Sequence, residues 1–447
     1  MRKRIITVFI VLFLVLAMPV TSFAAWPASI LSDSGVKMLS DIFILANADT
    51  GEIIMSKDAN RRVAPASLTK IAAAAVVLQE YDDLTKRVTV LQSDFDAIYG
   101  TNSSVSGLKA GEVRTLRELL ACLLIPSGND AAEVLMRYLG GHEVFMEKMN
   151  AFAESAGCTD THFLNAHGLD EAGHYSTAAD ILKMTIKAME NPVFAELSSL
   201  REFELPARGN IPARTIHTTN RLVNPAIPDY YVPHAAGIKT GNTEEAGLCL
   251  VSFARHSGYS YYTVVMGGRI QKHSSKSYDI NTALFDTKSL FDWAFDSLRL
   301  ARVATPLDVI HQTELLYAKE GDRMPLCPAN EIYLLVPEGV DAGGLLILPV
   351  TDTVPEKFEA PVQKNTSAGL AKVLYAQQEI ATIELVTQID AQRSPFLYAV
   401  KIIGDIVGSL PFRLLAAVLL LLLAGYIVFR YLRRKKQRGP RPVSLPP

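Results

Sequence analysis

Cysteine is scarce: Cys122, Cys158, Cys249 and Cys327 are the four in 447 residues. No two stand in a Cys-x-x-Cys pair and none joins a His/Cys cluster. A chain this long buries a core without staples, so the four are expected buried and without a role. No metal centre and no cofactor is expected. Charge of one sign is missing too. Lys+Arg number 44 against 46 Asp+Glu, a formal net charge of -2, which removes the electrostatic footprint of a nucleic-acid partner. There is no internal repeat and no low-complexity tract. The length leaves room for two soluble domains and additional segments.

Two stretches lack charge locally. Residues 5–20 contain one polar residue, Thr7, behind Arg2-Lys3-Arg4 and ahead of the small residues Ser22 and Ala24. This pattern predicts a signal peptide over residues 1–24, cut after Ala24 or Ala25; an uncleaved signal anchor is the alternative. Residues 414–429 carry no charge between Arg413 and Arg430. With their flanks they predict a transmembrane helix over residues 410–432. Residues 433–447 then form a cytoplasmic basic tail by the positive-inside rule. Residues 394–409 read as a linker or amphipathic segment, with Lys401 and Asp405 interrupting apolar positions at helical spacing. Both ends imply a catalytic or binding unit held at the extracytoplasmic face of a cell membrane.

Between the ends, residues 41–47 and 52–55 flank a polar turn, a hairpin signal. Helical patterns dominate from Ser67 to about Leu200, over residues 115–125, 130–139, 143–156 and 177–189. A second hairpin is expected from residues 246–254 and 262–266, and a closing helix over residues 284–300. Hairpin, helical block, hairpin and helix predict an α+β fold whose first and last segments share one antiparallel sheet. Residues 302–393 change texture, with short strands expected at 331–337, 344–349, 371–375 and 379–386, a small all-β domain.

Ser67-Leu68-Thr69-Lys70 follows Pro65 and opens the Ala-rich run 71–75. Proline suits a helix start, so Ser67 and Lys70 are expected one turn apart on one face, a candidate nucleophile and base. Ser34…Lys37 and Ser106…Lys109 repeat the spacing, but each contains a glycine and neither opens an apolar helix; they read as loops. Ser127-Gly128-Asn129 and Lys239-Thr240-Gly241 follow, each an ordinary turn when taken alone.

In this order the three motifs carry a signature shared by penicillin-binding proteins and class A β-lactamases. The chain resembles the serine D-Ala-D-Ala carboxypeptidases, the low-molecular-mass penicillin-binding proteins. Asn165-Ala166-His167-Gly168-Leu169-Asp170, residues 173–180 and residues 246–250 extend the likeness. It implies a β-lactamase/DD-peptidase-like catalytic domain over residues 40–300, peptidoglycan stem peptides as substrate, and β-lactams as covalent inhibitors.

The chemistry follows from residue types. Burial and the nearby charge of Lys239 are expected to lower the Lys70 pKa until the amine takes the Ser67 proton. Ser67 then attacks a carbonyl to form an acyl-enzyme. Ser127 is expected to bridge the lysines and protonate the leaving amine, and Asn129 to hold the substrate amide. Lys239 and Thr240 are expected to bind a terminal carboxylate beside an edge strand, where Gly241 permits close approach. The resemblance implies an oxyanion hole from the N–H groups of Ser67 and Asn242. His167 and His174 read as structural, and no Asp/His pair adjoins Ser67 to suggest a Ser-His-Asp triad. Alternatives are a β-lactamase, a DD-endopeptidase or a non-catalytic wall-binding protein. The first is disfavoured because Glu147-Lys148-Met149-Asn150 is one residue short of the class A Glu-x-x-Leu-Asn pattern and residue 128 is Gly rather than Asp.

Overall fold

The computed structural model describes residues 22–23, 25–27, 29–33, 35–101, 103–272 and 279–437. Residues 1–21 of the expected signal peptide and residues 438–447 of the expected tail lie outside them. Both expected hairpins form. Strands β1 (Ile42–Asn47) and β2 (Ile53–Lys57) are joined by a turn in which Asn47 Oδ1 accepts from the N–H groups of Asp49 and Thr50, at 2.8 and 3.2 Å. Strands β3 (Ala235–Thr243), β4 (Gly247–His256) and β5 (Tyr259–Gly268) follow the helices, and the sheet runs β2-β1-β5-β4-β3. Val264 of β5 stands opposite Ile44 of β1, so the ends of this region share one antiparallel sheet.

Both faces of that sheet are covered, which is why residues 42–46 are all apolar and all buried. Ile42, Ile44, Val251 and Val264 face a core with the helical block. Phe43, Leu45, Leu250 and Val265 face a second core on the other side. In the block, helix α1 (Lys70–Glu80) is buried from Lys70 through Leu78. Alanine at residues 72–75 lets its neighbours close around it: α2 (Leu116–Leu124), α4 (His142–Ser155), α5 (Ala178–Met189) and α6 (Pro192–Ser199). Helix α3 (Asn129–Tyr138) packs on α2. Thr115 and Glu118 cap α2 reciprocally.

The closing helix α7 spans Thr282–Ser297, shorter than expected, because the chain continues directly into strand β6 (Leu298–Ala304). Strands β7 (His311–Leu316), β8 (Arg323–Pro328), β9 (Ile332–Pro337), β10 (Leu346–Pro349), β11 (Lys357–Glu359), β12 (Ser367–Tyr375) and β13 (Gln378–Thr387) come next. They form a sheet ordered β10-β12-β13-β8-β7-β11 and a β6–β9 pair. Helix α8 (Pro395–Gly408) is capped by Ser394, and α9 (Leu410–Gln437) has Leu410–Arg434 long and apolar enough to cross a membrane, its apolar window unburied.

Candidate active site

The Ser67 segment departs from the expected helix by one turn. Ala66–Thr69 forms a single 3-10 turn, and the α-helix begins only at Lys70. The cause is local: Ala66 sits at φ +48°, in the left-handed region, and cannot continue a right-handed helix. Two contacts hold it there. The Thr69 hydroxyl donates to the Ala66 carbonyl at 2.8 Å, and Gly168, itself at φ +84°, packs on that carbonyl. A Cβ on residue 168 would lie 1.9 Å from the Ala66 oxygen, so only glycine fits. The loop bearing Gly168 is fixed by its histidines. Leu164 N–H donates to His174 Nδ1 at 3.0 Å, which leaves Nε2 as the N–H facing the Thr69 hydroxyl, also at 3.0 Å. Burial pushes His174 down to about 4 and, with the Lys70 charge, His167 down to about 3, so both rings are neutral.

Lys70 is completely buried and Ser67 half-buried. Lys70 Nζ lies 2.8 Å from Ser67 Oγ, 2.6 Å from Asn129 Oδ1 and 2.7 Å from the His167 carbonyl oxygen. Burial, then the Lys239 charge, drive its pKa well below the ordinary value, with Asp130 opposing. An ammonium is costly in such a setting, so the amine is available to accept a proton.

The second motif lies between α2 and α3. Ser127 has φ +65°, and a Cβ on Gly128 would fall 2.5 Å from Asp130 Oδ1 and 2.8 Å from the Cys122 carbonyl. That leaves no room for the aspartate of class A enzymes. The Asp130 carboxylate accepts from Ser106 N–H, Ser106 hydroxyl and Leu108 N–H at 2.8–3.0 Å. It thereby straps the 103–108 segment across the site.

The third motif is strand rather than turn. Lys239-Thr240-Gly241 lies within β3, the edge strand that among the described residues pairs with β4 alone. A Cβ on Gly241 would stand 3.0 Å from Ala66 Cβ and 3.3 Å from the Ser67 nitrogen, so its hydrogen lets the strand close on Ser67. Ser67, Ser127, Asn129, Thr240, Gly241 and Asn242 line one cavity of about 750 Å³.

Two expectations need correction. Lys239 is not in the cavity wall: it is 1 % exposed, donates to the Thr240 carbonyl at 2.9 Å, and burial brings it down to about 7. Alternation along β3 puts Lys239 on the face of Gly241, which packs on Ala66 and Ser67 behind the cavity wall, and Thr240 on the other face. Nor does Ser127 bridge the lysines, whose bonds go to Ser67, Asn129, His167 and Thr240. Among the described residues the cation lining the cavity is Arg221, which motif spacing did not single out. It follows Asn220, whose side chain accepts from Leu222 N–H at 3.0 Å and donates to the Gly237 carbonyl at 2.7 Å, tying Arg221 to β3. Thr219 and Thr240 hydroxyls are hydrogen-bonded beside it. The four cysteines are unpaired, with Cys158 only partly buried and Cys249 lining the cavity under Gly241.

A family model described as D-alanyl-D-alanine carboxypeptidase matches residues 30–270. The D-alanyl-D-alanine carboxypeptidase DacF of Bacillus subtilis is 27% identical over 406 residues, 89% of this chain and 97% of that one. DacB2 of Mycobacterium tuberculosis, also a D-alanyl-D-alanine carboxypeptidase, is 33% identical over 255 residues, 57% and 81% of the two chains. Among solved structures, DacD of Francisella tularensis is similar at TM-score 0.60 over 80% of this chain and 95% of that one; at 21% identity it speaks for the fold alone. A Streptomyces DD-transpeptidase aligns at TM-score 0.52 and 27% identity, over 58% and 98%. With all three motifs inside the matched residues and gathered around one cleft, the chain belongs to the D-alanyl-D-alanine carboxypeptidase family of hydrolases.

Proposed function

We propose that the protein removes the terminal D-Ala from peptidoglycan pentapeptides through a Ser67 acyl-enzyme, and that β-lactams acylate the same hydroxyl. The observation that carries this reading is the 2.8 Å contact between Lys70 Nζ and Ser67 Oγ, made by an amine whose charged form burial disfavours. Lys70 takes the hydroxyl proton, and Ser67 Oγ attacks the carbonyl of the penultimate D-Ala. The oxyanion is received by N–H groups of Ser67 and Asn242, and Ser127 returns a proton to the leaving amine. Asn129, whose Oδ1 is engaged by Lys70, offers its amide N–H to the substrate backbone. The peptide adds alongside edge strand β3, its terminal carboxylate at Arg221, Thr219 and Thr240.

A rapid β-lactamase needs a second base to hydrolyse the acyl-enzyme. Glu147, the nearest candidate by sequence, is exposed on α4 and outside the cavity. The reading extends to layout: a catalytic domain over residues 40–300, a β-rich domain over residues 302–393, and an anchor over residues 410–432 that holds both outside the cell. Mass spectrometry after benzylpenicillin should find one stable adduct on the Ser67 peptide and none in Ser67→Ala. An adduct elsewhere, or quick turnover of the drug, contradicts the proposal. Release of D-Ala from a pentapeptide, compared with cleavage of a cross-linked dimer, separates carboxypeptidase from endopeptidase.

A further inference from the structure

A neutral amine has two N–H donors and one lone pair. In that form, donation to Asn129 Oδ1 and to the His167 carbonyl would use both donors of Lys70 and leave its lone pair for the Ser67 hydroxyl 2.8 Å away. Those two acceptors therefore aim the base, and both trace to α3. Asn129 is the first residue of that helix, and Glu133 stands four positions on, on the same face. Glu133 Oε1 lies 3.4 Å from His167 Nε2. Leu169 N–H donates to His167 Nδ1 at 3.1 Å, so Nε2 carries the proton and its N–H faces the carboxyl group without a full hydrogen bond. One rigid helix thus reaches the first acceptor directly and the second through an imidazole. The Glu133 and His167 side chains are each 8% exposed and border a second cavity of about 320 Å³.

We propose that Glu133 is a positioning residue for the Lys70 base, acting through the His167 ring to hold the His167 carbonyl on Nζ. The proposal rests on the Ser67–Lys70 reading above. Several charged groups face the pair. Asp94 approaches Glu133 from the 92–98 turn and is itself held by Arg137 of α3. His142, Asp170 and Glu171 line the second cavity, and Lys70 stands behind His167. Burial and then Asp94 raise Glu133 to about 7, with His142 opposing. Below that pH the carboxyl group donates no charge to the site. Above it, the carboxylate favours the ammonium form of Lys70 and so opposes the base. Glu133→Gln keeps a polar group of the same shape against the His167 ring without titrating.

The test is the rate of acylation by a chromogenic penicillin across pH, using full-length protein in detergent. Glu133→Ala is expected to acylate about tenfold more slowly, with apparent binding of the drug within about twofold of wild type. Glu133→Gln is expected within about threefold of wild type, with the acid limb of its profile moved to lower pH. Wild-type rates in Glu133→Ala overturn the proposal, as does equal slowing in both variants with an unmoved profile. Should Glu133→Ala fail to fold, the Glu133→Gln profile decides alone. Absence of a Ser67 adduct in the wild type refutes the underlying acyl-enzyme reading instead.

Discussion

The two buried lysines bear on each other through charge. Lys239 is brought down to about 7, so it is charged below that pH and neutral above it. While charged, it disfavours charge on Lys70. Lys239→Met removes that push, so Lys70 should hold its proton to higher pH and the acid limb of acylation should move upward. A limb that stays put or moves down contradicts this coupling. Stability gives a second readout. Unfolded lysine titrates near about 10.4, so between about 7 and 10.4 the unfolded chain binds a proton at residue 239 that the folded chain does not. Stability contributed by this site therefore rises with pH across that window and is flat below it. Melting temperature should climb more steeply in the wild type than in Lys239→Met over that range; parallel curves would argue against a depressed Lys239.

At the scale of elements, the site is a junction of one 3-10 turn, one helix start and one sheet edge. Edge strand β3 leaves its outer hydrogen-bonding side for an extended peptide, and the short 3-10 turn Arg221–Val223 sets a cation at one end of it. A hydrogen bond to a charged group contributes about 1.5–3 kcal/mol, roughly 10–100-fold. Arg221→Ala should therefore lose most of the preference for a peptide ending in free D-Ala over the same peptide ending in an amide. The comparison of kcat/KM for the two peptides measures it. An unchanged ratio would assign carboxylate binding elsewhere.

Across the whole molecule, the β-rich region is not a loosely strung appendage. Leu290, Phe291 and Trp293 of α7 share one continuous core with Leu334, Val336, Ile383 and Leu385, and with Trp26 near the described N-terminus. The Trp26 indole N–H donates to the Leu335 carbonyl at 3.0 Å. Each such side chain stripped of cover forfeits about 1.5–3 kcal/mol, against a total stability of about 5–15 kcal/mol. A chain ending at residue 300 should therefore aggregate or melt far below the full protein. One ending at residue 393 keeps this core and should melt close to it, free of the membrane helix. Equal melting temperatures for the two truncations would show the first region to be self-sufficient.

Local and periodic signals determined much of this protein from sequence alone. Apolar runs and turn chemistry marked the hairpins around residues 47–51 and 257–258, helical spacing marked the block behind Ser67, and three short motifs marked the candidate site. These rest on interactions within a few residues. What packing decided was direction and distance. It set Ala66 left-handed against Gly168, delaying α1 by a turn, and it turned Lys239 inward and Thr240 outward. It made residues 298–304 a strand by giving them a partner at residues 332–337. It brought Glu133 to His167 and Arg221 to β3 across separations no local pattern records. A side chain's chemistry is written in its type, but the groups that bury it, charge it or aim it come from distant parts of the chain, and only the folded structure assembles them.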